Sequence, residues 1–516
     1  MRAARIDMRI LGAKRLHILI ALAVAALAAA TYARTLDYGF VWDDKMILRE
    51  DTRSLDVRQS LRAFSENIDR LYRPLRTITY AIDAKFVTPK HPTRPYHVTN
   101  ILLYALSAAA LYIFLLVLTG RTGFAAAAAA LFAVHPVHAE SAAWISGRAD
   151  LMAMAAMCFS FSLLIVFSRG AKSAATLIPG LLFYVAALLS KETAATGFAI
   201  LACCFILFPP ENKKNYAIKA FYTTTMVAVI TLLYIYIRSF VAPNTGQATT
   251  PIGDTLTARL AAFAPAFADY HRLSILPLRQ CLVYELAAPK PPYLATIATA
   301  AALVAVAVAL GIILRKKAPV VSFAAAWWIL TLIPVSNIIP IPLIEAERFL
   351  FLPSAAWCMI AAGVFLIDRP TVLRLPLRAF FFALFVAYIA LSAQRIPVFE
   401  SEYKIWSDTS KCATASTIAH FNFGNECMKK EQYLNAIEEY ERVIELKPEY
   451  FPAYANIGDA YALMGKYDSA IPYFKMSLDR MPNQPKVMIK ISLAYDKMKR
   501  HEEAKLWHEK VRKIVK

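Results

Sequence analysis

Two kinds of periodicity meet near residue 397 of this chain, and together they leave few folds open. Before that point, apolar segments of about twenty residues, the length needed to cross about 30 Å of hydrocarbon, alternate with polar loops. After it, small residues recur every 34 positions: Gly424, Gly458 and Ser492 form one series, Ala436, Ala470 and Ala504 a second, and Pro448 and Pro482 a third. A repeat of that length cannot bury its own apolar face, so neighbouring repeats must stack. The chain therefore reads as all-α: a polytopic helical membrane domain over residues 1–397, then a C-terminal α-solenoid over 398–516.

The period, with small residues at helix crossings and Pro after the second helix, is the tetratricopeptide (TPR) signature, here in about three repeats. A leading helix is expected near 400–412 and a charged capping helix over 501–514. Ala436, Tyr440, Ala470, Phe474 and Ala504 read as packing residues. Composition supports the membrane part: 58% of residues are hydrophobic, against about half in soluble domains. The net charge of +20 does not indicate nucleic acid, because the Lys and Arg residues flank the apolar spans in the positive-inside pattern. The seven cysteines show no metal spacing. Cys158, Cys203, Cys204 and Cys358 fall in apolar spans and read as small packing residues. Cys412 and Cys427 flank the start of the repeats, either as a disulfide, if the tail is extracytoplasmic, or as two buried thiols.

Spans are expected near 16–33, 96–118, 122–138, 149–167, 174–190, 194–209, 218–237, 293–314, 320–338, 349–367 and 378–394. The first follows a basic head (Arg2, Arg5, Arg9, Lys14 and Arg15), which keeps the N-terminus in the cytoplasm. A cleaved signal peptide, with small residues at Ala30–Ala33, is the alternative and leaves residue 40 on the same side. The basic clusters Arg121, Arg169–Lys172, Lys213–Lys219, Arg315–Lys317 and Arg369–Arg378 then all fall inside, provided 256–277 does not cross. That segment holds Pro265, Asp269, His271 and Arg272, so it reads as an interfacial or re-entrant helix on the outside. Eleven crossings put the TPR repeats outside, opposite the N-terminus.

On this topology the outer loops collect the unusual polar residues, and charges so close to hydrocarbon need partners or a wet cavity. The first outer loop, 34–95, carries Trp42-Asp43-Asp44 and Arg73-Pro74, and His97 follows it. Asp43 and Asp44 are adjacent, so they do not share a face, and one can enter a cavity while the other anchors backbone. Mutual repulsion can raise one of them toward the range of a general base; the alternative is a loop or N-cap pair. His135, His138 and Glu140 invite a zinc reading, but Pro136 breaks the helix between the two histidines and no second ligand cluster accompanies them. Hydrogen bonding at the top of a span, or contact with a phosphate or sugar, fits them better. Arg148, Lys191 and Arg348 are candidate phosphate holders, with salt bridges to the sequence neighbours Asp150, Glu192 and Glu347 as the alternative. Arg73 precedes a Pro suited to the first turn of a helix, or contacts lipid headgroups.

These motifs resemble the TMTC-type proteins (transmembrane and TPR-repeat-containing O-mannosyltransferases) and their bacterial relatives, within the GT-C class of polytopic glycosyltransferases. The resemblance rests on Phe40–Asp44, Arg73-Pro74-Leu75, Tyr96-His97 with Asn100, and His135-Pro136-Val137-His138 with Glu140. It continues through Gly147-Arg148-Ala149-Asp150, Lys191-Glu192, Glu347-Arg348 and the Glu402–Trp406 entry to the repeats. It implies a polyprenyl-phosphate sugar donor, mannose first, and transfer to protein Ser/Thr hydroxyls on the extracytoplasmic face. It also implies a base in the first outer loop, which falls on Asp43 or Asp44. Arg73, His97, His135, His138, Glu140, Arg148, Asp150, Lys191, Glu192, Glu347 and Arg348 become candidates for binding the donor phosphate or sugar. No cofactor and no metal are expected, although a divalent ion assists some GT-C enzymes. The expected partners are the lipid-linked donor, membrane lipids and an acceptor protein or peptide on the TPR domain, and the expected location is a bacterial inner membrane or its equivalent. Two other readings stand beside this one: a non-catalytic TPR scaffold for envelope proteins, and a GT-C-like enzyme acting on a glycolipid or envelope glycan.

Overall fold

The computed structural model describes residues 2–50, 56–66, 71–170, 174–210, 215–243, 255–284, 294–341, 343–365 and 371–515. Among them it is helical, with no strands. The chain divides into two compact units, one of residues 1–280 and 286–400, the other of 281–285 and 401–516.

In the first unit each expected span contains a helix. Among the described residues, six helices are long and apolar enough to cross a membrane: Lys14–Asp37, Arg94–Thr119, Ile145–Ser168, Tyr216–Val241, Ile297–Leu314 and Leu375–Glu400. A seventh candidate, Thr122–Ala133 with Pro136–Ala143, is bent by 53°. The bend falls where Pro136 lacks the N–H that would continue the helix. The remaining four expected spans are shorter apolar helices, Ala174–Ser190, Glu192–Leu207, Pro319–Val335 and Ser354–Phe365. Segment 256–277 forms a helix, Leu256–Ile275, that is not among the candidate spans. Pro74 occupies the first turn of helix Pro74–Ala84, where its missing N–H leaves no bond unmade.

The second unit is the TPR solenoid. Helix Glu402–Cys412 leads into the pairs Thr417–Lys429 with Tyr433–Leu446, Phe451–Leu463 with Tyr467–Arg480, and Pro485–Lys497 with His501–Val515. Ala436, Tyr440, Ala470, Phe474 and Ala504 are buried between paired helices. A Cβ on Gly424 would stand 2.6 Å from the Tyr440 ring, and one on Gly458 2.5 Å from Phe474. The glycine series thus marks the points where an aromatic ring of the second helix lies against the first helix's backbone.

The disulfide differs from the sequence expectation. Cys412 pairs with Cys281, 131 residues earlier, not with Cys427. Cys427 is a buried free thiol packed with Ala436 and Tyr440 in the repeat core, whereas Cys412 ends the leading helix and meets the short segment that holds Cys281.

Candidate active site

The site begins where the first helix ends. After a short 3-10 turn, Ala33–Asp37, the chain reaches Trp42, whose φ of 48° lies in the left-handed region that a bulky side chain rarely enters. That backbone turn sends Asp43 and Asp44 to different surroundings. Asp44 is fully buried. Its Oδ1 accepts the Ser146 amide at 3.0 Å and the Ser146 hydroxyl at 2.5 Å, and its Oδ2 accepts the Val41 amide at 3.2 Å. Trp144 donates its indole N–H to the Val41 carbonyl, and its ring stacks on Trp42 at 5.4 Å. Asp44 therefore fastens the loop after the first helix to the segment around 144–147. Burial raises its carboxyl to about 7 against those hydrogen bonds, and the charge of Asp43 adds to the rise.

Asp43 is half-buried and lies in the field of two guanidiniums, Arg348 and Arg76. Burial raises its pKa above the ordinary carboxylate value, and the two arginines pull against that rise. Arg348 is held by Glu140: its backbone amide donates to Oε2 at 2.7 Å and its guanidinium pairs with Oε1. The guanidinium carbon also stands 5.8 Å from the Trp42 ring centre and 5.5 Å from that of Trp144. Arg76, buried on helix Pro74–Ala84, was not among the sequence candidates. Its one sequence signal is its place a helical turn beyond Arg73, on a face that a single sequence does not reveal as buried.

The other basic candidates pair with carboxylates far away in sequence, not with their neighbours. Arg148 binds Asp83 at 2.6 Å, Asn100 at 2.9 Å, Thr79 at 3.0 Å and the Tyr96 carbonyl at 2.9 Å, and stands over the Tyr80 ring. Lys191 binds Asp150 at 2.5 Å. Arg73 grips Glu192 with two bonds, at 2.6 and 3.1 Å. Glu347 takes Arg395 at 3.1 Å and the Gln280 amide at 3.0 Å. Sequence neighbours at the start of a helix point in different directions, which explains why Arg148, Lys191 and Arg348 pair with distant carboxylates and not with the adjacent ones offered as the alternative. The result is a lattice of buried and half-buried ion pairs tying these segments together. Arg148, fully buried and spent on four partners, is a clamp within it and is not among the charges facing Asp43.

The histidines are sealed inside. His97 Nε2 lies 3.2 Å from the Tyr38 carbonyl, and His135 Nε2 lies 2.9 Å from the Ser274 carbonyl. His138 sits between the Tyr104 hydroxyl at 2.9 Å and Ser354 Oγ at 2.8 Å. These bonds brace helix ends and leave none of the three rings on an open surface. Among the described residues, no group of three His, Cys, Asp or Glu side chains is placed to hold a metal ion.

Arg348 thus stands over the Trp42–Trp144 pair in the grip of Glu140, Asp43 lies in the field of Arg348 and Arg76, and the Asp44–Ser146 bonds fix the loop that carries Asp43. Known proteins carry related chains. A family model for the TPR repeat matches residues 424–471. The protein O-mannosyl-transferase F38B6.6 of Caenorhabditis elegans is 24% identical over 400 residues, covering 75% of this chain and 55% of the relative. Mouse TMTC3, also a protein O-mannosyl-transferase, is 23% identical across 89% of this chain and 54% of its own length. The chain is a relative of the TMTC-type family. Drosophila Tmtc1 is 30% identical over 206 residues, 37% of this chain and 23% of that protein. This chain spans about half the length of the TMTC-type relatives that match most of it.

Proposed function

We propose that this chain is a GT-C-type membrane glycosyltransferase that moves mannose from a polyprenyl-phosphate donor to Ser/Thr hydroxyls of proteins on the extracytoplasmic face. The observation that carries the reading is the division of labour in the Asp pair: Asp44 is consumed by three hydrogen bonds, while Asp43 keeps a half-buried carboxylate in the field of two guanidiniums. The names of the relatives support the reaction class.

In this reading Asp43 takes the proton from the acceptor hydroxyl as its oxygen bonds to the anomeric carbon. The bond from that carbon to the phosphate oxygen breaks in the same displacement, so configuration inverts and one carboxylate suffices, as in inverting glycosidases. The leaving polyprenyl phosphate gathers negative charge, which Arg348 and Arg76 stabilise from fixed positions. Glu140 holds the Arg348 backbone and guanidinium at once and so sets that position. The TPR unit recruits the acceptor protein, and its covalent tether raises the acceptor's local concentration. The Cys281–Cys412 disulfide supports an oxidising, extracytoplasmic compartment for that unit.

The test is transfer of labelled mannose from polyprenyl-phosphate-mannose to membrane and envelope proteins, comparing wild type with Asp43→Asn. Label that appears with the wild type and vanishes in the variant is the expected result. Label that survives in Asp43→Asn removes this residue as the base. Wild-type membranes that never transfer mannose reject the mannosyl donor.

A further inference from the structure

A cavity of about 350 Å³ opens between helices Ala174–Ser190 and Tyr216–Val241, at the ends of those helices that lead to Lys191 and Ala242. Its walls are aliphatic, with Val185 and Leu188 on one helix and Leu233 and Ile237 on the other. Two tyrosines interrupt them, Tyr72 and Tyr234, with ring centres 6.0 Å apart. The Tyr72 hydroxyl donates to the Phe64 carbonyl at 3.2 Å. Tyr234 is only 6% exposed, and its buried hydroxyl has no hydrogen-bond partner among the described residues. A buried hydroxyl without a partner is costly, so a ligand oxygen brought to it is favoured.

Charges stand at this end of the cavity. Tyr234 lies in the field of Glu192 and Arg73, which are paired with each other. Arg73 and Arg348 both act on the Asp150 carboxylate, and Arg348 also acts on Asp43. The polar end of the cavity is therefore electrostatically coupled to the candidate active site. Pockets that enclose small ligands run from roughly 300 to 1,000 Å³, so this one holds a run of chain and not a whole long lipid.

We propose that the cavity binds the headgroup-proximal run of the apolar chain of a phosphate-headed polyprenyl lipid, with the Tyr234 hydroxyl and Arg73 at its polar end. The proposal rests on the donor reading above and gives that donor a second point of attachment, outside the reacting centre. Aliphatic walls recognise the chain by burial, and the polar end fixes how far it enters.

The experiment uses the full chain in lipid nanodiscs. A polyprenyl phosphate carrying a diazirine on its chain near the phosphate is photoactivated, and labelled peptides are mapped. Label concentrated on residues 185–189 and 230–237, competed by unlabelled polyprenyl phosphate and lost in Leu233→Trp, is the expected result. Label spread along bilayer-exposed helices such as Ile297–Leu314, without competition, overturns the proposal. In parallel, Leu233→Trp is expected to raise the KM of a long-chain mannosyl donor about tenfold more than that of a donor with an ethyl chain. Equal effects on both donors overturn the cavity assignment while leaving the transferase reading intact. Cavity labelling in a wild type that transfers no mannose keeps the cavity and rejects that reading.

Discussion

Asp44 and Ser146, 102 residues apart, are joined twice: one carboxylate oxygen takes both the backbone amide and the hydroxyl of the serine. This pair of hydrogen bonds is the rivet between the loop that holds Asp44 and the segment that holds Ser146, and the Asp44 carboxyl is raised to about 7 by burial. An acid whose folded pKa lies above its unfolded value holds its proton longer when folded. Its contribution is complete below the unfolded value near 4 and is lost as pH climbs through about 7. Asp44→Asn keeps an oxygen for Ser146 but turns an NH2 toward the Val41 amide, and it cannot titrate. The stability lead of wild type over this variant should shrink between pH 4 and pH 7, by roughly 4 kcal/mol at most. Thermal unfolding of both proteins across that range checks it; a constant difference would show that Asp44 does not titrate in the window.

Asp43→Asn should lower transfer by about 100-fold or more, the usual worth of a positioned general base, while leaving thermal stability near wild type. A base must be ionised, so wild-type activity should fall on the acid side with a midpoint above the ordinary Asp value, because burial raises Asp43. A pH profile of kcat/KM reads this directly. A midpoint at or below the ordinary value would mean that another group controls the limb.

Much of the fold was legible in the sequence because its signals are local. Apolar length marks a helix without reference to any other part of the chain, and each segment expected as a span contains a helix. The recurrence of Gly424 and Gly458 reports a contact inside one repeat, the ring of Tyr440 or Phe474 on a bare backbone. The candidate site was legible as a set of residues but not as a set of partners. Arg348 meets Glu140 across 208 positions and Lys191 meets Asp150 across 41, and no local rule selects those pairs over the adjacent carboxylates. Cys281 was hidden for the same reason, and Arg76 because the buried side of a short helix depends on what packs there.

Gly458→Ala should destabilise the TPR unit by about 1–3 kcal/mol, since the new methyl meets the Phe474 ring and the crossing must open. Gly458→Ala combined with Phe474→Leu should recover part of that loss, because the smaller side chain vacates the space. Urea unfolding of the single and double variants measures both; a double variant less stable than the sum of the singles would place the strain elsewhere.

The cysteines give a test of compartment. With Cys281 and Cys412 joined, five free thiols remain, and those at 158, 204, 358 and 427 are buried. Tagging with a membrane-impermeant maleimide on intact cells or spheroplasts should leave the pair unmodified until a reductant is added, after which both react from the extracytoplasmic side. Tagging of Cys412 without reductant, or from the cytoplasmic side alone, would place the TPR unit in a reducing compartment and invert the topology.

Arg348 separates charge from geometry. Replacing it with Ala would strand Glu140, which is buried, and confuse lost catalysis with a damaged fold. Arg348→Lys keeps a cation for Glu140 but loses the planar fork that can hold Glu140 and reach a phosphate together. We expect a stable protein whose kcat falls about tenfold or more, since the missing interaction grows as the leaving phosphate gains charge. The donor KM should change less, because Arg76 still faces Asp43 from the other helix. If kcat holds and only KM rises, Arg348 binds the donor in the ground state and the transition-state charge is met by Arg76; Arg76→Lys should then show the kcat loss in its place.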